Sequence, residues 1–122
     1  MLSAAMTAAE EPRRVYFLPS RVQFVPDSEF VTYYVKVPLD GRNRTLTVAA
    51  LDGEFPVRSS EQDLSAERRR TIWDYRWRLP PGELVLVAVV REAGGRIAGR
   101  DERRVTVYHT LSSITQNSVT VN

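Results

Sequence analysis

Hydrophobic and polar residues alternate along much of this chain with a period of two, which is typical of half-buried β-strands. Three segments show the pattern, and in each we expect every second residue to face a core. These are Thr71–Leu79 with Trp73, Tyr75, Trp77 and Leu79 inward, Phe30–Val37 with Val31, Tyr33, Val35 and Val37 inward, and Thr45–Leu51 with Leu46 and Val48 inward.

The remaining elements are predicted from apolar runs and turn residues. Leu84–Val90 is apolar on both faces, which favours a central strand, and Gly94-Gly95 reverses the chain into a partner strand ending at Tyr108. Val15–Leu18 and Arg21–Val25 form an apolar stretch that is interrupted by Pro19 and ends at Pro26, as is typical of an edge strand. Phe55–Arg58 is predicted to be a further short strand. Ser59–Arg70 has only Leu64 as an apolar anchor, so we expect a polar loop with at most one helical turn.

Short strands separated by Pro, Gly and Asp turns predict an all-β fold. We expect an antiparallel immunoglobulin-like β-sandwich of about seven to eight strands, with an open barrel as the alternative. At 122 residues the chain has room for one domain. The predicted organisation is a flexible leader over residues 1–14, the sandwich over 15–109, and a C-terminal tail or extra strand over 110–122.

The segment Leu79–Val107, which reads LPPGELVLVAVVREAGGRIAGRDERRVTV, resembles the last two strands of bacterial immunoglobulin-like and fibronectin type III-like modules. The shared features are a Pro-Pro-Gly corner, an apolar strand and a glycine hairpin. The resemblance implies a β-sandwich fold and no particular activity. It departs at Leu84, where such modules usually carry an aromatic residue, so the tyrosine corner that locks this turn is absent.

Composition excludes several classes of protein. The chain has no cysteine, which excludes disulfide scaffolds, zinc fingers and thiol nucleophiles. The apolar run Leu84–Val90 is far shorter than the roughly 20 residues of a membrane helix, so we expect no membrane span. The formal net charge is only +2, and acidic residues are interspersed among the arginines. This distribution of charge disfavours a nucleic-acid partner.

No motif for catalysis or for binding a metal or cofactor stands out. His109 is the only histidine, and no nucleophile elbow accompanies it. The acidic pairs Asp27/Glu29 and Asp52/Glu54 match no calcium loop, and capping of turns by Asp explains them. We therefore predict a protein that is not an enzyme and uses no cofactor.

Arginines around the aromatic strand form the strongest candidate binding surface. The candidates are Arg68, Arg69 and Arg70 before the strand, and Arg76 and Arg78 on its polar face. Guanidinium groups beside aromatic rings suit phosphates, stacked bases or sugars. Because the large aromatic residues share one face, we favour their burial in the core. Arg76 and Arg78 are then expected to pair across strands with Glu83 or Glu92.

The C-terminal segment is uncharged, β-prone and free of glycine and proline. Such a segment suits a terminal strand, or a strand that adds to the sheet edge of a neighbouring subunit. Its candidate contact residues are Leu111, Ile114, Val119 and Val121. With Ser59–Arg70 and the Gly94–Gly95 hairpin, it is one of three expected contact regions.

Three functions remain open at this stage. The first is a non-catalytic immunoglobulin-like module that mediates protein–protein contact. The second is a structural subunit of a filament, pilus or virion that assembles through its C-terminal strand. The third is a binder of anionic ligands or nucleic acid through the arginine-rich loop. The expected partner is another protein or a further copy of the chain. The sequence does not determine the compartment of the protein, although it slightly favours an extracytoplasmic location or the surface of a virion or filament.

Overall fold

The computed structural model describes residues 15–110, which fold into eight β-strands. The strands are β1 (Tyr16–Leu18), β2 (Gln23–Pro26), β3 (Val31–Lys36), β4 (Asn43–Asp52), β5 (Phe55–Asp63), β6 (Ile72–Trp77), β7 (Gly82–Glu92) and β8 (Ile97–Tyr108). They form a three-stranded sheet in the order β1-β3-β6 and a five-stranded sheet in the order β2-β8-β7-β4-β5. The inner faces enclose one core, which confirms the predicted immunoglobulin-like sandwich.

The segment predicted as a single N-terminal edge strand is divided between the two sheets. β1 pairs with β3 in the three-stranded sheet, and after Pro19 the chain crosses so that β2 pairs with β8 in the other. The β2–β8 pair is parallel, whereas the other strand pairs described are antiparallel. The Asp101 carboxylate of β8 accepts a hydrogen bond from the backbone N–H of Phe17 at 2.9 Å, which ties β1 to the opposite sheet.

The prediction that Ser59–Arg70 is a loop is wrong over its first half. β5 continues to Asp63, which lies opposite Thr45 of β4. β5 is an edge strand whose side chains are mostly exposed, so its sequence shows no apolar alternation. The strand is defined instead by backbone hydrogen bonds to β4. Leu64 is buried as expected and anchors the loop that follows.

The core contains the inward residues predicted from the alternation. An aromatic cluster lies at its centre: the ring of Tyr33 stacks on Tyr75 with centroids 5.3 Å apart. Phe17 and Trp77 meet the same ring edge-on at 5.6 and 5.8 Å. Such ring pairs add to the stabilisation that burial provides. The predicted core burial of the aromatic strand is therefore confirmed.

The β7–β8 hairpin also follows the prediction. β7 is the central strand of the five-stranded sheet, between β8 and β4. The reversal is a single 3₁₀ turn, Ala93–Gly95, in which Gly94 and Gly95 have φ of 85° and 88°. These are left-handed backbone conformations that glycine adopts without a steric penalty.

Candidate functional site

The structure separates the five predicted arginines into two groups. Arg68, Arg69 and Arg70 lie in the β5–β6 loop, at the same end of the sandwich as the β3–β4 loop and the β7–β8 hairpin. Arg76 and Arg78 lie at the other end of β6. Six residues of extended chain separate Arg70 from Arg76, which corresponds to about 20 Å. The five arginines therefore do not form one binding surface.

Arg76 and Arg78 stack on an aromatic ring rather than pairing with acidic residues across strands. Their guanidinium carbons lie 4.4 and 4.8 Å from the centre of the Phe30 ring. The expected pairing with Glu83 or Glu92 is wrong because β6 and β7 belong to different sheets. Cation–π contact gives these arginines a structural role on the outer face of β6.

The loop that carries Arg68, Arg69 and Arg70 is folded around the carboxylate of Glu67. One oxygen of this carboxylate, Oε2, accepts hydrogen bonds from the backbone N–H groups of the three arginines at 3.2, 3.3 and 2.9 Å. These hydrogen bonds lower the pKa of Glu67 below its usual value, and the bond from Arg70 has the largest effect. Successive N–H groups that converge in this way form a nest, a backbone geometry that binds anions.

A cleft opens between this loop and the β3–β4 loop. Its outer part has a volume of about 470 Å³, and Arg44, Glu67 and Arg68 contribute to its walls. A narrower niche of about 20 Å³ lies deeper and is lined in part by Arg70 and Trp73. Both parts are walled by Leu39, Asp40 and Glu67, so they are adjacent. The niche is large enough for one water-sized group.

Two residues of the niche carry buried polar atoms without a hydrogen-bond partner. Asn43 and Trp73 are each 5% exposed, and neither Asn43 Oδ1 nor Trp73 Nε1 is paired. The Asn43 amide nitrogen donates to the Pro38 carbonyl at 3.3 Å, and the Arg70 guanidinium lies 3.8 Å above the Trp73 ring. Buried polar atoms are usually paired, so these two are available to a hydrogen-bonding group that enters the niche.

A second surface, missed by the sequence reasoning, is the outer face of the five-stranded sheet. Val85, Val87 and Val89 of β7 point outward there and are half-buried, while Leu84, Leu86, Ala88 and Val90 face the core. An antiparallel sheet with one solvated face normally alternates apolar and polar residues, and β7 does not. The apolar run in Leu84–Val90 carried this signal, but only the position of β7 assigns its second face to the surface.

A separate exposed aromatic residue lies at the β2 edge of the same sheet, and Arg104 and Thr106 of β8 lie between it and β7. Phe24 is 71% exposed and lies opposite Thr106 of β8. Phe24 lines a shallow depression of about 580 Å³ together with Val22 and Val85. Aromatic side chains are enriched in protein contact surfaces.

His109 lies at the end of β8, where its Nδ1 is 3.0 Å from a carboxylate oxygen of Asp27. The other oxygen of Asp27 accepts the N–H of Thr110 at 3.3 Å, so this carboxylate connects the β2–β3 turn to the chain after β8. Within residues 15–110, no three His, Asp or Glu side chains are grouped so that they could hold a metal ion. The tail positions Leu111, Ile114, Val119 and Val121 lie outside the described residues.

No helix in the described part of the chain is long and apolar enough to cross a membrane.

Comparison with known proteins agrees with this architecture. No family model matches the chain, and no curated protein matches it. Among solved structures, the chain is similar to fibronectin(III)-like modules of Clostridium thermocellum CbhA, with a TM-score of 0.53 and 14% identity over 79% of this chain and 98% of that one. It is also similar to a Jonesia denitrificans lytic polysaccharide monooxygenase, with a TM-score of 0.51 and 16% identity over 73% of this chain and 59% of that one.

These similarities concern the fold. The chain has a fibronectin type III-like sandwich, which confirms the resemblance recognised in Leu79–Val107. At such low identity the chemistry of a neighbour does not transfer, because one sandwich supports many unrelated functions. The chain also spans less than two thirds of the monooxygenase chain.

Proposed function

We propose that this protein is a non-catalytic fibronectin type III-like module that binds another protein through the outer face of its five-stranded sheet. The observation that carries the proposal is the outward row Val85, Val87 and Val89, with Phe24 exposed at the β2 edge of the same sheet. Burial of an apolar face supplies the main driving force for protein association, and aromatic side chains are frequent energetic centres of interfaces.

The arrangement of charges on this face favours a different protein over a second copy of the chain. If two copies packed about a two-fold axis along β7, Glu83 and Arg91 would each meet the same residue of the other copy. An axis across the strands at Val87 would place Arg100 against Arg104 and Glu102 against its own copy, although Glu83 would then face Arg91. Like charges meet in both cases, and such contacts disfavour association.

Site-specific photocrosslinking can test the proposal. A photoreactive amino acid replaces Val85, the crosslinked protein is identified, and its binding to the full chain is then measured with purified components by calorimetry. We expect Phe24→Ala to weaken binding about tenfold or more, as removal of an interface hot spot does. Tyr34→Ala is the matched control, because Tyr34 is an exposed aromatic residue on the outer face of the other sheet.

A second pair of variants separates the two faces by charge. Val87→Lys and Ile72→Glu each place a charge opposite a residue of opposite sign, Glu102 and Lys36, so both are expected to fold. Only Val87→Lys should abolish binding. The proposal fails if no protein crosslinks, or if the control variants weaken binding as much as the variants of the five-stranded sheet.

A further inference from the structure

The cleft between the β3–β4 and β5–β6 loops has the features of a ligand site that the proposed contact face does not use. It combines a backbone nest, two unpaired buried polar atoms and a surplus of positive charge. The nest, the Trp73 indole N–H and the positive charge point to an anion, and Asn43 Oδ1 adds the requirement for a hydrogen-bond donor.

The nest is already occupied, because Glu67 Oε2 accepts the N–H groups of Arg68, Arg69 and Arg70. A carboxylate oxygen in this position has the charge and the acceptor lone pairs of a phosphate or sulfate oxygen. Glu67 therefore stands where an oxyanion would bind.

The niche below adds directional contacts. Trp73 Nε1–H can only donate a hydrogen bond, and Asn43 Oδ1 can only accept one. An oxyanion oxygen accepts the indole proton, and a protonated oxygen of the same ion, or a trapped water, donates to Asn43. A phosphate ion carries both kinds of oxygen, whereas sulfate, which has no proton at neutral pH, reaches Asn43 through a water in the niche.

Charge around the cleft is positive. Its charged lining is Arg44, Arg68 and Arg70 against Asp40 and Glu67, and the Arg70 guanidinium also lies 3.7 Å from the Asp74 carboxylate. Arg42 neutralises Asp40 through a bidentate contact of 3.0 and 2.8 Å. Arg68 lines the outer part of the cleft, and its guanidinium contacts the backbone carbonyls of Ser65 and Glu67 at 3.5 and 3.2 Å rather than a carboxylate, so its charge is available to an incoming anion.

We infer that this cleft binds a small oxyanion of the phosphate or sulfate type, and that Glu67 is its internal competitor. When the ion enters, the Glu67 carboxylate leaves the nest, and the three N–H groups, the Trp73 indole N–H and the Arg68 guanidinium bind the ion instead.

NMR titration of the full chain with inorganic phosphate, at constant ionic strength maintained with chloride, tests the inference. We expect the indole N–H resonance of Trp73 to shift and that of Trp77 to stay unchanged, because Trp77 lies at the far end of β6. The variant Glu67→Ala should bind phosphate about tenfold more tightly, since charge-assisted hydrogen bonds to the nest are no longer satisfied internally.

Two arginine variants provide the matched comparison. Arg68→Ala should weaken phosphate binding several-fold, whereas Arg104→Ala, on the outer face of the five-stranded sheet, should leave it unchanged. A parallel titration with phosphoserine distinguishes a free ion from a phosphoryl group carried on a larger molecule. The inference is overturned if the Trp73 resonance stays fixed in both the unmodified chain and Glu67→Ala, or if Trp77 shifts equally.

Discussion

The hydroxyl of Tyr33 offers the sharpest test of how this core is packed. Tyr33 is 1% exposed at the centre of the aromatic cluster, and its hydroxyl has no hydrogen-bond partner. Burying an unpaired hydroxyl costs about 1–3 kcal/mol in proteins. The variant Tyr33→Phe keeps the ring and removes this cost. We therefore expect the free energy of unfolding to rise by about 1–2 kcal/mol.

Urea and thermal unfolding measure this change. In a domain of this size each kcal/mol raises Tm by about 4 °C. Tyr34→Phe is the matched control, because Tyr34 is the next residue on β3, points to the opposite face and is 43% exposed. Its substitution should change stability by less than about 0.5 kcal/mol.

The result that refutes the reasoning is a loss of stability in Tyr33→Phe of about 1 kcal/mol or more. Such a loss would mean that the hydroxyl is paired in solution, for example to a buried water. Tyr33→Ala removes the ring as well and should cost about 3–5 kcal/mol, which separates the contribution of the ring from that of the hydroxyl.

Two further predictions concern alkaline pH and the hairpin. Burial raises the pKa of Tyr33 and raises the pKa of Tyr75 to about 12, so stability should be complete below the unfolded tyrosine pKa of about 10 and fall as pH rises from there toward 12. Urea unfolding across this range should show the loss, and a double variant, Tyr33→Phe with Tyr75→Phe, should lessen it. Gly94→Ala should lower stability by about 1–2 kcal/mol, because Gly94 has a left-handed backbone conformation. Gly41→Ala, at a turn glycine without positive φ, should be neutral or slightly stabilising, and equal losses in both variants would contradict the explanation.

Much of the fold was predictable because β-strands place successive side chains on opposite faces. When one face of a strand is buried, apolar residues therefore recur at every second position of the sequence, as they do in β3 and β6. The hairpin was predictable because its turn needs positive φ, which Gly94 and Gly95 supply. The extension of β5 to Asp63 was not, because backbone bonds to β4 hold it and backbone bonds leave no mark on side-chain composition.

The candidate site shows the same division. The sequence indicated that arginines and aromatic residues follow one another at 68–78, but it did not show which of them would meet. In the structure the aromatic face is buried, Arg76 and Arg78 stack on Phe30, and the Arg68–Arg70 segment folds around Glu67. These contacts depend on segments that are distant along the chain, and local patterns do not encode distances between them.

What the sequence by itself determined is the class of fold and the inward face of the regular strands, since both follow from periodicity and turn chemistry over a few residues. Only the tertiary structure decided that β1 and β2 join different sheets, that the second face of β7 is a surface, and that Asn43 and Trp73 line one niche. The physical reason is that strand pairing and sheet packing join residues far apart in the chain, so the surroundings of a side chain are known only once the sheets are assembled.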